Sequence, residues 1–133
     1  SLTLLETPTL RLVGQIAAGG LVEAGEATTE YREDELLGLD RGREFYLLEV
    51  RGESMIERGI LNGDLVLMER TSTAQDGDIV AALDDEGRST LKTFHRERGR
   101  VRLDPANVSM NPIYLDEVRI QGILRTVIRR VKP

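Results

Sequence analysis

The sequence contains no cysteine, which excludes disulfide bonds, thiolate nucleophiles and cysteine-based metal sites. It has a single histidine, His95, and no carboxylate partner is evident around it, so a Ser-His-Asp triad is poorly supported. We expect neither a metal nor a cofactor. Any covalent nucleophile must therefore be a residue type other than cysteine.

Long apolar runs are also missing. No run approaches the roughly 20 residues that span a bilayer, and the N-terminus lacks the basic-then-apolar pattern of a signal peptide. The net charge of −5 offers no electrostatic footprint for nucleic acid. We interpret the basic residues near the C-terminus, Arg125, Arg129, Arg130 and Lys132, as a solvated strand end. These features predict a cytoplasmic protein without membrane contact.

The length of 133 residues, with 40% hydrophobic and 31% charged residues, favours one folded domain. Residues 1–12 contain Thr-Pro-Thr and no helical pattern, which predicts an extended arm or linker. Residues 13–133 would form the domain. Its first part, about 13–25, is rich in glycine and alanine, which is typical of a flexible loop.

From Phe45 onward, short apolar runs alternate with turn residues, and this pattern predicts a compact, mostly β fold with one or two short helices. The only candidate helices are Ser54 to Leu61 and Arg32 to Leu37. The last predicted strand would be bent or broken at Gly122. The six predicted strands are Phe45–Val50, Leu65–Glu69, Asp78–Leu83, Ser89–His95, Arg100–Leu103 and Val118–Val131.

Ser54 follows the first of these strands in the segment Val50-Arg51-Gly52-Glu53-Ser54-Met55. A serine at a strand end is held firmly, and backbone N–H groups at a helix start can stabilise an oxyanion, so this position suits a nucleophile. Gly52 would allow the sharp turn. The alternative is that Ser54 only caps a short helix, which is the better explanation of this segment taken alone.

Lys92 interrupts a strand pattern in Ser89-Thr90-Leu91-Lys92-Thr93-Phe94. Side chains alternate along a strand, so Thr90, Lys92 and Phe94 share a face. If that face is buried, the lysine pKa falls and its neutral amine becomes a general base, which the Thr90 hydroxyl could orient. If it faces solvent, Lys92 is an ordinary surface residue. The alternation leaves both arrangements open.

Taken together, these segments resemble the LexA and UmuD family of serine–lysine peptidases, which includes phage repressors. The resemblance begins at Val13 and covers nearly the whole remaining chain. Its motifs, in order, are Val13-Gly14-Gln15-Ile16-Ala17-Ala18-Gly19, the Ser54 segment with Gly63-Asp64, Thr90-Leu91-Lys92, Asp104-Pro105-Ala106-Asn107 and Asn111-Pro112-Ile113.

The resemblance implies a β-rich, LexA- and signal-peptidase-like fold in which Ser54 is the nucleophile and Lys92 its general base. The implied substrate is the chain's own loop, cut between Ala18 and Gly19. A RecA nucleoprotein filament would trigger cleavage and so derepress DNA-damage genes. The C-terminal strand, Val118 to Val131, would pair two copies into a homodimer, although an intramolecular strand fits equally well. DNA would be bound only by an N-terminal domain absent from this chain.

Three other interpretations remain. The chain could be a UmuD-like self-cleaving subunit of a translesion polymerase, although its Ala17-Ala18-Gly19 site looks more like that of LexA. A signal peptidase shares the dyad chemistry but needs a membrane anchor. A non-catalytic dimerisation or ligand-binding β domain would have Ser54 as a cap and Lys92 exposed.

Overall fold

A computed structural model describes residues 9–13, 15, 16, 18, 19 and 29–132. The chain divides into two compact units, Ser1–Arg41 and Gly42–Pro133. Strands dominate the described residues, which confirms the predicted mostly β class. No helix in this part of the chain is long and apolar enough to cross a membrane.

The first unit contains two short strands and the one α-helix of the described residues. Strands β1 (Thr9–Leu12) and β2 (Thr29–Arg32) pair antiparallel, and α1 (Glu33–Leu37) follows directly, as predicted. The two strands were not predicted as such, because each has only four residues and nearly all of their side chains are exposed. Most of the predicted loop, 13–25, lies outside the described residues.

The second unit is one seven-stranded sheet in which all paired neighbours run antiparallel, in the order β3-β4-β9-β5-β6-β7-β8. All six predicted strands are present, with ends shifted by up to three residues, and only β8 was not predicted. The strands are β3 (Phe45–Glu49), β4 (Leu65–Arg70), β5 (Ile79–Leu83), β6 (Ser89–Glu97), β7 (Arg100–Asp104), β8 (Ile113–Leu115) and β9 (Arg119–Ile128).

The core of this unit consists of two apolar clusters around the central strand β5. Val80 and Ala82 belong to a cluster with Phe94, whereas Ala81 belongs to a cluster with Met55. Because successive side chains of a strand point to opposite faces, β5 is buried on both sides. The second cluster holds the segment that follows Ser54 against the sheet.

Strand β9 lies between β4 and β5, and its register shifts on both sides, next to Gly122 and again near Arg125. The predicted break at Gly122 is therefore wrong, because the strand continues through this residue with only a shift of register beside it. A side chain at Gly122 would meet the Tyr46 hydroxyl at 2.5 Å and the Glu69 carbonyl at 2.8 Å. Glycine is required here by close packing between strands.

The C-terminal basic residues are exposed, as predicted, but two of them also bind buried carboxylates. Arg125 binds the buried Glu69 carboxylate at 3.0 Å. Arg129 binds Asp64, which is only 2% exposed, through contacts of 2.7 and 2.6 Å. Asp64 and Arg129 are 65 positions apart in the sequence, so no local pattern predicts their contact. The pairing of β4 with β9 brings them together.

Candidate active site

The segment that carries Ser54 is a closed loop between β3 and β4. Backbone hydrogen bonds of 2.8 Å join Val50 to both Asp64 and Gly63 at its base. Gly52 has a positive φ of 90°, a conformation that glycine adopts without strain. Its N–H donates to the Asn62 side chain at 2.8 Å. The loop therefore turns sharply two residues before Ser54.

Ser54 does not cap a helix. The predicted helix from Ser54 to Leu61 is reduced to a 3₁₀ helix, Ile56–Arg58, whose N-cap position is Met55 and which has no side-chain cap. Gly59 ends it after one turn with a positive φ of 74°. The capping interpretation of Ser54 is thus wrong, and its hydroxyl is available for another partner.

That partner is Lys92. Its Nζ lies 3.1 Å from the Ser54 Oγ, 2.7 Å from the Thr90 Oγ1 and 3.3 Å from the Leu91 carbonyl oxygen. The three residues lie 38, two and one positions away from Lys92 in the chain. The structure therefore brings together the predicted nucleophile Ser54, the predicted base Lys92 and Thr90, which was predicted to orient the base.

Lys92 is buried, with a relative exposure of 6%. The face of β6 that carries Lys92 points inward, as the 1% exposure of Phe94 also shows. Of the two arrangements that the sequence left open, the buried one is therefore present. Its hydrogen-bond partners among the described residues are all uncharged. Burial therefore lowers the pKa of the Lys92 ammonium below its usual value of 10.5, because no carboxylate compensates for the lost hydration.

A cleft of about 440 Å³ opens beside this pair. Glu53, Ser54 and Met55 line it together with Thr90 and Lys92. The rest of the lining is largely apolar and includes Leu48, Val50, Val66, Ala81, Leu91 and Met110. Such a cleft is large enough for a short peptide segment and suits small, apolar side chains.

Ala18 and Gly19, the predicted cleavage site, lie at an exposed bend in the first unit. Their neighbours Ala17 and Gly20 lie outside the described residues. An exposed bend is a place where a bond can be reached by a peptidase.

The prediction that His95 has no carboxylate partner is wrong. Its Nδ1 lies 3.0 Å from Asp76 and its Nε2 lies 3.3 Å from Asp104. Asp104 reaches the ring because β7 pairs with β6 in the register Thr93 to Asp104. His95 lies three positions after Lys92, so their side chains leave opposite faces of β6. These carboxylates therefore form no triad with Ser54, whose hydroxyl is bonded to Lys92.

Sequence reasoning missed the role of the loop 105–112, although it noted the motif there. The Ala106 N–H donates to the Ser54 carbonyl at 2.6 Å, and the Asn107 side-chain amide donates to the Glu53 carbonyl at 2.9 Å. Asn107 and Glu53 are 54 positions apart, and no local pattern connects them. Only the paired strands bring this loop beside the Ser54 loop.

Comparison with known proteins gives the class. Residues 11–125 match the family described as Peptidase S24-like, so the chain belongs to this family of peptidases. The match includes the whole Ser54 loop and strand β6.

Named relatives agree with this family. A LexA repressor of Novosphingobium aromaticivorans is 48% identical over 123 residues, which is 91% of this chain and 52% of the relative. One from Desulforamulus reducens is 43% identical over 131 residues, covering 95% of this chain and 58% of the relative. One from Staphylococcus aureus strain Newman is 40% identical over 118 residues, with shares of 88% and 57%. The chain thus spans little more than half the length of these relatives.

Proposed function

We propose that this chain is the self-cleaving peptidase domain of an SOS-type repressor, which cuts its own bond between Ala18 and Gly19. The observation that carries the proposal is the contact of 3.1 Å between the Lys92 amine and the Ser54 hydroxyl. A serine beside a buried amine has its general base in place and can act as a nucleophile without a histidine.

The neighbours of Lys92 suit a neutral amine in particular. A neutral amine has two N–H groups and one lone pair. Thr90 Oγ1 and the Leu91 carbonyl can accept the two N–H bonds, which leaves the lone pair for the Ser54 hydroxyl. In this state the hydroxyl donates to Lys92, and the direction needed for proton removal is in place.

The reaction then proceeds in two halves. Lys92 takes the Ser54 proton while the Ser54 Oγ attacks the Ala18 carbonyl carbon, and the resulting ammonium returns the proton to the Gly19 nitrogen as the peptide bond breaks. This leaves an ester between Ser54 and Ala18. Water, deprotonated in turn by Lys92, hydrolyses the ester and releases a carboxylate on Ala18 and free Ser54.

Because the substrate is part of the same chain, its high effective concentration does the work that binding energy does for a separate substrate. Well-oriented intramolecular reactions have effective concentrations of about 10⁵ to 10⁸ M, so the cleft needs only modest affinity for the loop. The largely apolar lining of the cleft would suit the small side chains of Ala18 and Gly19. Control would lie in how often the loop docks and in the protonation of Lys92.

The biological role is inferred from the resemblance and from the named relatives, which are repressors. A RecA nucleoprotein filament would favour the docked loop, so that DNA damage leads to cleavage and derepression. DNA would be bound by a separate N-terminal domain, and the protein would act in the cytoplasm, where a repressor meets its operators.

The end of β9 supports a homodimer. β5 pairs with β9 only as far as Val80 opposite Ile123, whereas β4 continues to pair with it up to Ile128. Beyond Ile123, the same segment of a second copy could pair with β9 on the side opposite β4. Two antiparallel copies paired in this way would be related by twofold symmetry. Val127, 38% exposed, would be covered in such a pair.

Incubation at alkaline pH tests the activity directly. We expect the purified chain to split after Ala18 at pH 9 to 10, seen as two fragments by mass spectrometry, and the Ser54→Ala and Lys92→Ala variants to stay intact. Ser72→Ala and Lys132→Ala change an exposed serine and the second of the two lysines in the chain, so both controls should cleave. An intact wild type, or cleavage in Ser54→Ala, would contradict the proposal.

A further inference from the structure

We infer that Asn107 is a positioning residue that aims the Ser54 backbone N–H at the oxyanion of the reaction, beside the Met55 N–H that Ala106 orients. The inference rests on the proposed function and extends it to the loop 105–112 between β7 and β8. This loop makes four hydrogen bonds to the Ser54 loop. Two are accepted by the Glu53 and Ser54 carbonyls. In the other two, the Glu57 N–H donates to the Ala106 carbonyl at 2.8 Å and the Val108 N–H donates to the Glu57 carboxylate at 3.2 Å.

The two carbonyl groups are held from the same loop. The Asn107 Nδ2 donates to the Glu53 carbonyl at 2.9 Å, and the Ala106 N–H donates to the Ser54 carbonyl at 2.6 Å. Each of these carbonyls belongs to a planar peptide group whose N–H is that of the next residue. Holding the carbonyl therefore also fixes the direction of the Ser54 or Met55 N–H.

In a trans peptide group the carbonyl and the N–H point in opposite directions. The N–H groups of Ser54 and Met55 consequently point away from the loop that holds the carbonyls. Neither has a hydrogen-bond acceptor among the described residues, while both residues line the cleft. Two oriented, unpaired N–H groups beside a nucleophile are what an oxyanion hole needs.

The Asn107 side chain is itself fixed. Its Oδ1 lies 3.0 Å from the Ser109 N–H and 2.7 Å from the Ser109 hydroxyl. A backbone N–H can only donate, so the acceptor atom of the amide must face Ser109. The Nδ2 is then left to donate to Glu53, and the side chain cannot serve equally well if its two ends are exchanged.

The substitution Asn107→Asp tests this role because it keeps the shape and the bonds to Ser109 but replaces the donor by an acceptor. Loss of one oxyanion donor costs about 10² to 10³ in rate. Since Asn107 acts through a peptide group, we expect the plateau rate of self-cleavage to fall by about 10- to 100-fold. The pH midpoint, which reports Lys92, should not move.

Asn111→Asp is the matched control, since it makes the same change at an exposed position of the same loop and should cleave like the wild type. Asn107→Ala removes the donor without adding charge and should lose a similar factor. Circular dichroism melting would verify that the variants are folded. A second readout is the rate at which a fluorophosphonate modifies Ser54, because the phosphoryl oxygen of this reagent needs the same N–H groups.

A plateau and a labelling rate within twofold of wild type in Asn107→Asp would overturn the inference, as would a loss that comes with a shifted midpoint. Should Asn107→Asp fail to fold, Asn107→Ala decides by the same criteria. The two proposals fail differently. A wild type that never cleaves contradicts the proposed function, whereas a cleaving wild type with an unimpaired Asn107 variant contradicts only the positioning role.

Discussion

Replacing Thr90 by aspartate should shift the pH dependence of self-cleavage upward. The Thr90 Oγ1 lies 2.7 Å from the Lys92 Nζ, so a carboxylate in its place would sit beside the amine. An adjacent opposite charge favours the charged form of a lysine. The substitution thus opposes the effect of burial, which lowers the pKa of Lys92.

The size of the shift follows from the short distance. Two opposite charges about 4 Å apart attract by about 4 kcal/mol at an effective dielectric constant of about 20, and about 1.4 kcal/mol corresponds to one pKa unit. This sets an upper bound of about three units, and pairs of this kind shift by about one to three. Below its midpoint the rate follows the neutral fraction, so cleavage at pH 7 should slow by about 10- to 1000-fold.

The assay is the first-order loss of intact chain, followed by mass spectrometry from pH 6 to pH 10.5. Thr90→Asn is the matched control, because it removes the hydroxyl without adding a charge and should keep the wild-type midpoint. Coincident midpoints for the Asp and Asn variants would refute the reasoning. So would a flat wild-type profile between pH 6 and pH 10, since no titrating base would then limit the rate.

Two predictions concern stability, measured by urea unfolding. The pKa of Lys92 is lowered on folding, so the unfolded chain binds more protons and burial of this residue is destabilising at neutral pH. Lys92→Met should therefore raise the free energy of unfolding at pH 7 by about 1.4 kcal/mol for each unit by which folding lowers the pKa of Lys92. The gain should be smaller near pH 10, and equal gains at the two pH values would contradict this prediction. Arg129→Gln leaves the buried Asp64 without its cation and should lower stability by about 2 to 4 kcal/mol at pH 7, whereas Arg130→Gln should change little. The Arg129 hydrogen bond lowers the pKa of Asp64, so its stabilisation is present above about pH 3.8 and the difference should vanish as the carboxyl becomes protonated.

The strands of the sheet were predictable because each is a short apolar run bounded by turn residues, as in β4 and β5. Strand β8 was missed because it has only three residues, one of them exposed. The helix from Ser54 was overpredicted. The backbone there turns back at Gly59 so that both Met55 and Ile60 are buried, and this tertiary requirement overrides the local helical pattern.

The chemistry-bearing residues were predictable, but their arrangement was not. The alternation around Lys92 could not decide its direction, because both faces of β6 are covered and Thr93 is buried as well, at 8% exposure. Asn107 and the carboxylates around His95 come into place only through strand register and loops that are distant in sequence. The sequence thus predicts Ser54 and Lys92 as the reacting groups, and the fold shows which groups hold their side chains.

Covalent labelling of Ser54 measures most directly whether neutral Lys92 activates this serine, as we propose. Treated with a fluorophosphonate and digested for mass spectrometry, the wild-type chain should carry the label on Ser54, at a rate that rises with pH to a plateau. Lys92→Met should abolish the labelling, and the exposed Ser72 should stay unmodified. Labelling of Ser54 that is independent of pH and unaffected by Lys92→Met would show that Lys92 does not activate Ser54.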